Sequence, residues 1–191
     1  MKKIALFASG SGTNVENIIN YFEQNSIVNE YLILVNNQNA KVIEKAEKRN
    51  VPFTIFDRTM LNEGTVASKL KEFQPDLIVL AGFLWKFPEA ILKDYYNKVI
   101  NIHPALLPKY GGKGMYGHFV HEAIVDNKET ETGITIHFVN ENYDEGAIIF
   151  QATTPVLPNF SPDDVAKAVQ VLEHKHFPII IEKLLFTNLD E

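Results

Sequence analysis

Asn101 and His103 stand two residues apart in the octapeptide Asn101-Ile102-His103-Pro104-Ala105-Leu106-Leu107-Pro108, directly after the apolar pair Val99-Ile100. In an extended chain that spacing puts both side chains on one face. One is an amide with N–H donors; the other is an imidazole that exchanges a proton near neutral pH. Pro104 cannot continue a central ladder, so a strand over residues 99–103 ends there. The pair then sits at a strand's carboxyl end, where open α/β sheets place their ligands. Polar groups buried on a core strand cost free energy unless paired, so the two together ask for a purpose. With a carboxylate, for which Asp144 in Asn142-Tyr143-Asp144-Glu145-Gly146 is the candidate, the set suits reaction at a carbonyl. An amide N–H and a protonated imidazole stabilise a developing oxyanion. A nearby carboxylate favours the charged imidazole, which can then protonate a departing amine. Taken singly each residue has a plainer reading: a hydrogen-bonded structural histidine, a solvated loop aspartate, a His137 that satisfies a neighbouring carbonyl, a Glu173 exposed on a helix.

Two further stretches carry chemistry. Ser9-Gly10-Ser11-Gly12-Thr13-Asn14 follows an apolar strand and precedes apolar residues at Val15, Ile18, Ile19 and Phe22, the spacing of one helix face. A glycine turn into a helix N-terminus suits a phosphate; a tight turn with Thr13 or Asn14 as N-cap explains it equally. The Gly-Lys-Ser/Thr ending of a nucleotide triphosphate loop is absent. Gly82-Phe83-Leu84-Trp85-Lys86-Phe87-Pro88 is unusually apolar for a loop. It either covers the core or walls a flat aromatic ligand.

Composition narrows the class. The 191 residues are 46% hydrophobic and 22% charged, with a formal charge of −6 and no cysteine. That length supports one domain with a substantial core. The acidic balance argues against a general nucleic-acid binder. Thiolate nucleophiles, disulfides and Cys-ligated metals are excluded, and the histidines form no compact metal motif. The apolar start, Ile4 to Ala8, is too short for a signal peptide, and no stretch is long enough to span a bilayer. A cytoplasmic location is expected.

Positioning these residues requires strands near 3–9, 31–35, 51–56, 77–81 and 99–103, alternating with helices near 14–23, 40–49, 62–73 and 89–96. Continuous apolar strands between helices indicate an α/β fold: a doubly wound, mostly parallel sheet covered on both faces. Pro52 places the third strand near an edge. Residues 109–117 hold four glycines and form a mobile or tightly turned loop; a helix follows at 118–127. Strands near 132–139 and 147–153 make an antiparallel hairpin. Ser161-Pro162-Asp163-Asp164 opens the longest helix, which Pro178 should kink or interrupt.

The octapeptide resembles the signature of folate-dependent formyltransferases. The resemblance runs nearly end to end, through the opening glycine turn, Pro75-Asp76 to Phe83, His137-Phe138-Val139, Asp144-Glu145-Gly146, and Gln170 with Glu173-His174. It implies a single formyltransferase domain over residues 1–191, with a nucleotide-phosphate half of about 1–100 and a catalytic half of about 101–191. It implies transfer of a formyl group from 10-formyltetrahydrofolate to the amine of glycinamide ribonucleotide in purine synthesis, without a metal. Gly12, Thr13 and Asn14 would hold the phosphate and Glu173 the ribose hydroxyls. Leu84, Trp85, Lys86 and Phe87, with Asn101 and the loop around Asp144, would enclose the folate's pterin. Asn101 and His103 would stabilise the oxyanion, His103 would donate the proton, and Asp144 would raise the imidazole's pKa. The implied partners are these small molecules, with no nucleic acid or membrane, in a monomer or homodimer. Many members of that family carry Arg where Trp85 stands; Arg58 is the candidate counterpart of a further arginine. The segment 111–117 is longer than in many members. Methionyl-tRNA formyltransferases carry a further basic domain, and formyltetrahydrofolate deformylases an extra N-terminal one. From an acidic chain whose first strand starts at residue 3, neither is expected. A noncatalytic nucleotide-binding module would have no reason to hold Asn101, His103 and Asp144 together.

Overall fold

The computed structural model describes residues 1–187. Its strands are β1 (Lys2–Ala8), β2 (Asn29–Val35), β3 (Phe53–Ile55), β4 (Leu77–Leu80), β5 (Val99–His103), β6 (Glu131–Phe138) and β7 (Ile148–Pro155). Its helices are α1 (Thr13–Gln24), α2 (Val42–Lys48), α3 (Arg58–Asn62), α4 (Thr65–Phe73), α5 (Glu89–Asp94), α6 (His118–Asp126) and α7 (Pro162–Phe186). All seven strands form one sheet in the order β3-β2-β1-β4-β5-β6-β7. The strands β1 to β5 are parallel, and β6 and β7 join antiparallel. The doubly wound sheet with an antiparallel hairpin is thus the one expected, with the proline-led β3 at its edge.

Alternation along the central strands builds two cores. Ile4, Leu6 and Ala8 of β1, with Leu77 and Val79 of β4, join one apolar layer under α1, α6 and α7. Ala5 and Phe7, with Ile78 and Leu80, join the other under α4 and α5. Every one of these residues is buried, as a parallel sheet covered on both faces demands. No helix of the described residues is long and apolar enough to cross a membrane.

Three local expectations change. α1 starts from Gly12, at φ +66°, with no side-chain cap, so Thr13 and Asn14 lie inside the helix. An added Cβ at Gly12 would lie 2.4 Å from Val42, so the turn also needs glycine for packing. The helix expected over 62–73 begins at Thr65 as α4, and a separate short helix, α3, precedes it. Asp57 caps α3 by accepting from the Met60 N–H at 2.8 Å, and Gly64 at φ +91° separates it from α4. Finally, Pro178 does not interrupt α7, which runs for 25 residues. Proline leaves the carbonyl four residues back, that of His174, without its helical donor. Asn17 of α1 supplies one, donating Nδ2–H to that oxygen at 2.9 Å. The start of α7 is as read: Ser161 and Asp164 form a reciprocal capping box.

Candidate active site

β5 ends beside β6, and their register sets the site. Asn101 lies opposite His137, and His103 opposite Thr135. Thr135 pins the chain leaving β5: its hydroxyl donates to the Ala105 carbonyl at 2.7 Å and accepts from the Leu107 N–H at 3.0 Å. Gln151 of β7 reaches across to the same hydroxyl at 2.9 Å and to the Leu107 carbonyl at 3.1 Å. The strand end carrying His103 is therefore fixed from two neighbouring strands. The loop between β6 and β7 returns Asp144, in a left-handed conformation at φ +57°, over the end of β5.

Asn101, His103, His137 and Asp144 line one cleft of about 450 Å³. His103 Nε2 lies 2.7 Å from the Tyr110 carbonyl. A carbonyl can only accept, so Nε2 carries the hydrogen and Nδ1 faces Asp144 Oδ2, 3.6 Å away. The same carboxylate oxygen accepts from the Gly112 N–H at 2.9 Å. His137 donates Nδ1–H to the Phe138 carbonyl at 2.8 Å, which leaves Nε2 to accept from Asn101 Nδ2 at 3.2 Å. Asp144 Oδ1 lies 3.7 Å from that Nε2. The carboxylate thus lies between the two imidazoles, and Asn101 is hydrogen-bonded to one of them, His137. His137 does more than satisfy a neighbouring carbonyl.

Burial pushes the His103 imidazole below its ordinary value; Asp144 and the Tyr110 carbonyl pull it upward without reversing the shift. The upward pull expected of Asp144 is present, but desolvation outweighs it. Burial likewise lowers His137, again against the pull of the Phe138 carbonyl and Asp144. Burial thus favours the neutral form of both rings. A proton taken by His103 would enter between its ring and a fixed carboxylate.

At another part of the cleft stand Asn14, near the start of α1, and Glu173 of α7. Asn14 Nδ2 donates to Glu173 Oε2 at 2.9 Å, while Asn14 Oδ1 is buried without a partner. Burial raises the Glu173 carboxyl's pKa and Asn14 opposes it. Because no side chain caps α1, the N–H groups of its first turn keep their capacity for an anion. Ser11 and Asn14 line the cleft; Gly12 and Thr13 do not, and Gly12 turns toward Val42.

The apolar strip divides. Phe83 and Phe87 are buried and pack edge-on against Phe7, with ring centroids 5.4 and 5.1 Å away. Leu84, Trp85 and Lys86 remain at the cleft's mouth, Leu84 being exposed. The core-covering reading holds for Phe83 and Phe87. Trp85 meets Phe56 edge-on, and Arg58 stacks over its indole at 4.4 Å. Arg58, Trp85, Lys86 and Tyr143 line an adjoining outer hollow. Spacing alone does not single out His121, a residue of α6 that also lines the cleft; its Nδ1 is buried without a partner and burial lowers its pKa. Its place thirteen residues beyond Pro108 signals nothing until the loop folds back. Among the described residues no group of three or more His, Asp and Glu side chains is arranged to hold a metal ion.

The formyl transferase family model matches residues 2–181. A phosphoribosylglycinamide formyltransferase of Bacillus subtilis is 33% identical over 98% of this chain and 97% of its own. The chloroplastic phosphoribosylglycinamide formyltransferase of Arabidopsis thaliana is 34% identical over 94% of this chain. The chain spans 64% of that plant protein's length and 61% of its Vigna unguiculata counterpart's. The crystal structure of phosphoribosylglycinamide formyltransferase from Bacillus halodurans superposes with a TM-score of 0.89, at 32% identity over 97% of this chain and 96% of that one. A match that takes in the strand of Asn101 and His103, the loop of Asp144 and the helix of Glu173 leaves no doubt of descent: the chain belongs to the formyl transferase family.

Proposed function

We propose that this protein transfers a formyl group from 10-formyltetrahydrofolate to the amine of glycinamide ribonucleotide, a step in purine synthesis. The observation that carries the reading is the shared cleft. A helix N-terminus with Asn14 and Glu173 opens into the same space as the linked Asn101, His137, Asp144 and His103. That arrangement suits a substrate with a phosphate and ribose at one end and a nucleophilic amine at the other. The relatives' names agree with it.

The ribonucleotide phosphate takes the N–H groups at the start of α1, and its ribose hydroxyls take Glu173 and the unpartnered Asn14 Oδ1. Leu84, Trp85 and Lys86 flank the folate ring system, and Arg58 and Lys86 offer cations to its acidic tail. The formyl folate, when bound, supplies an activated formyl carbonyl and a nitrogen leaving group. As charge builds on the carbonyl oxygen, the Asn101 N–H not engaged by His137 donates to it. The attacking amine sheds a proton and the departing nitrogen needs one. The neutral His103 ring takes the first and, once charged, gives the second, while Asp144 stabilises the imidazolium between the two events. The test is to follow tetrahydrofolate release with glycinamide ribonucleotide, with charged initiator tRNA, and with water alone. Release dependent on the ribonucleotide is expected. Release with water alone at the same rate would overturn formyl transfer in favour of hydrolysis.

A further inference from the structure

We propose that Tyr110 and Glu129 are positioning residues for His103, holding the Tyr110 carbonyl on its Nε2–H so that Nδ1 is the nitrogen that handles the proton; this deepens the formyl-transfer reading and rests on it. The three residues 110–112 touch both His103 and Asp144. The Tyr110 carbonyl accepts from His103 at 2.7 Å, and the Gly112 N–H donates to Asp144 at 2.9 Å. Gly111 between them has no room for a side chain: an added Cβ would lie 2.5 Å from Leu107 Cδ2 and 3.3 Å from Asp144 Cβ.

Tyr110, whose carbonyl faces His103, sits at φ +56°, a conformation disfavoured for a residue with a side chain. Something must hold it there. The phenol hydroxyl donates to Glu129 Oε1 at 2.9 Å, and Lys109 Nζ lies 3.1 Å from the same oxygen. Glu129 is placed by its own N–H, which donates to the Ile124 carbonyl at 3.1 Å just past α6. The Tyr110 ring packs on the core layer under α6 and α7. Burial and Glu129 both hold the phenol above its ordinary pKa, so it remains a donor. Side chain outward to Glu129 and carbonyl inward to His103 are therefore one arrangement. Asp144 is itself an acceptor 3.6 Å from Nδ1 and would draw the hydrogen there, so the closer Tyr110 carbonyl, 2.7 Å from Nε2, is what keeps it on Nε2.

The experiment reads the tautomer directly. 15N NMR of histidine-labelled, ligand-free protein, with the His103 signals assigned by their loss in His103→Ala, should show neutral His103 protonated on Nε2. In Tyr110→Phe and Glu129→Ala, that signal should shift toward a mixture of tautomers. The turnover of both variants should fall about tenfold with little change in KM for the ribonucleotide, since a misplaced proton carrier costs rate and not ground-state binding. Glu129→Gln, whose amide oxygen still accepts from the phenol, should restore the tautomer and most of the rate. Neutral His103 protonated on Nδ1 in the wild-type protein, or a tautomer and pH profile unmoved by both Tyr110→Phe and Glu129→Ala, would overturn the proposal. The spectrum is read without substrate, so it decides the matter even if wild-type turnover is absent, a result that would instead overturn the activity.

Discussion

Asn101 presents its side-chain nitrogen to Nε2 of His137, 3.2 Å away on the adjoining strand. That contact orients an otherwise symmetric-looking amide. Because His137 spends Nδ1–H on the Phe138 carbonyl, its Nε2 can only accept, so the Asn101 side chain must present nitrogen and not oxygen. One N–H is then engaged and the other is left for a ligand. The antiparallel joining of β6 to β5 makes this possible: it sets residue 137 directly across from residue 101.

Removing the proton carrier should separate rate from binding. His103→Ala is expected to lower turnover by roughly 10²-fold or more while ribonucleotide affinity stays near normal, because the nucleotide's phosphate and ribose contacts lie elsewhere in the cleft. Steady-state kinetics with a calorimetric binding measurement checks both halves. Unchanged turnover would remove His103 from the mechanism.

The residues that periodicity could reach were those whose role is written locally. The continuous apolar runs of β1 and β4, the N-cap at Ser161 and the two-residue spacing of Asn101 and His103 each need only a short window of chain. What lay out of reach depends on partners far apart in sequence or on backbone atoms. The Tyr110 partner of His103 is a backbone carbonyl, which residue type does not mark. Pro178 reads as a helix break until Asn17, on another helix, satisfies the carbonyl it frees. The sign of the His103 shift turned on how deeply the ring is buried, a property of the whole packing that no spacing reports.

That last helix contact can be measured. Asn17→Ala should cost about 1 kcal/mol, the usual loss for one hydrogen bond to a partly buried carbonyl. In a Pro178→Ala background, residue 178 regains an N–H for the His174 carbonyl, so the same change at Asn17 should cost much less. Urea unfolding of the four proteins closes the cycle. Equal losses in both backgrounds would show that Asn17 does not act through the proline.

Acid should weaken the fold before its carboxylates titrate. Burial lowers His103, His121, His137, His174 and His176 below their ordinary value of 6.5. As pH falls below 6.5 the unfolded chain binds these protons first, so stability is lost progressively down to the folded values. Glu173 works the other way: its raised pKa means that the fold gains on acidification, but it is one group against five. Unfolding free energy should therefore be lower at pH 5.5 than at pH 7.5, and His121→Gln should flatten the slope. Stability that is level across that window would contradict the shifts.

Asp144→Asn tests the carboxylate against the ring. Asp144 pulls the His103 pKa upward against the larger effect of burial, so its loss lets the pKa fall further. The neutral ring, the form that takes the amine's proton, then persists to a lower pH, while the imidazolium formed within the cycle loses its stabilising charge. Activity should fall at every pH, and most toward higher pH, with the acid limb of kcat displaced to lower values. Asparagine is nearly the same size and its side-chain oxygen can still accept from the Gly112 N–H, so the loop should stay in place and the displacement reports charge. A uniform loss with an unmoved limb would mean that Asp144 shapes the loop without tuning the imidazole.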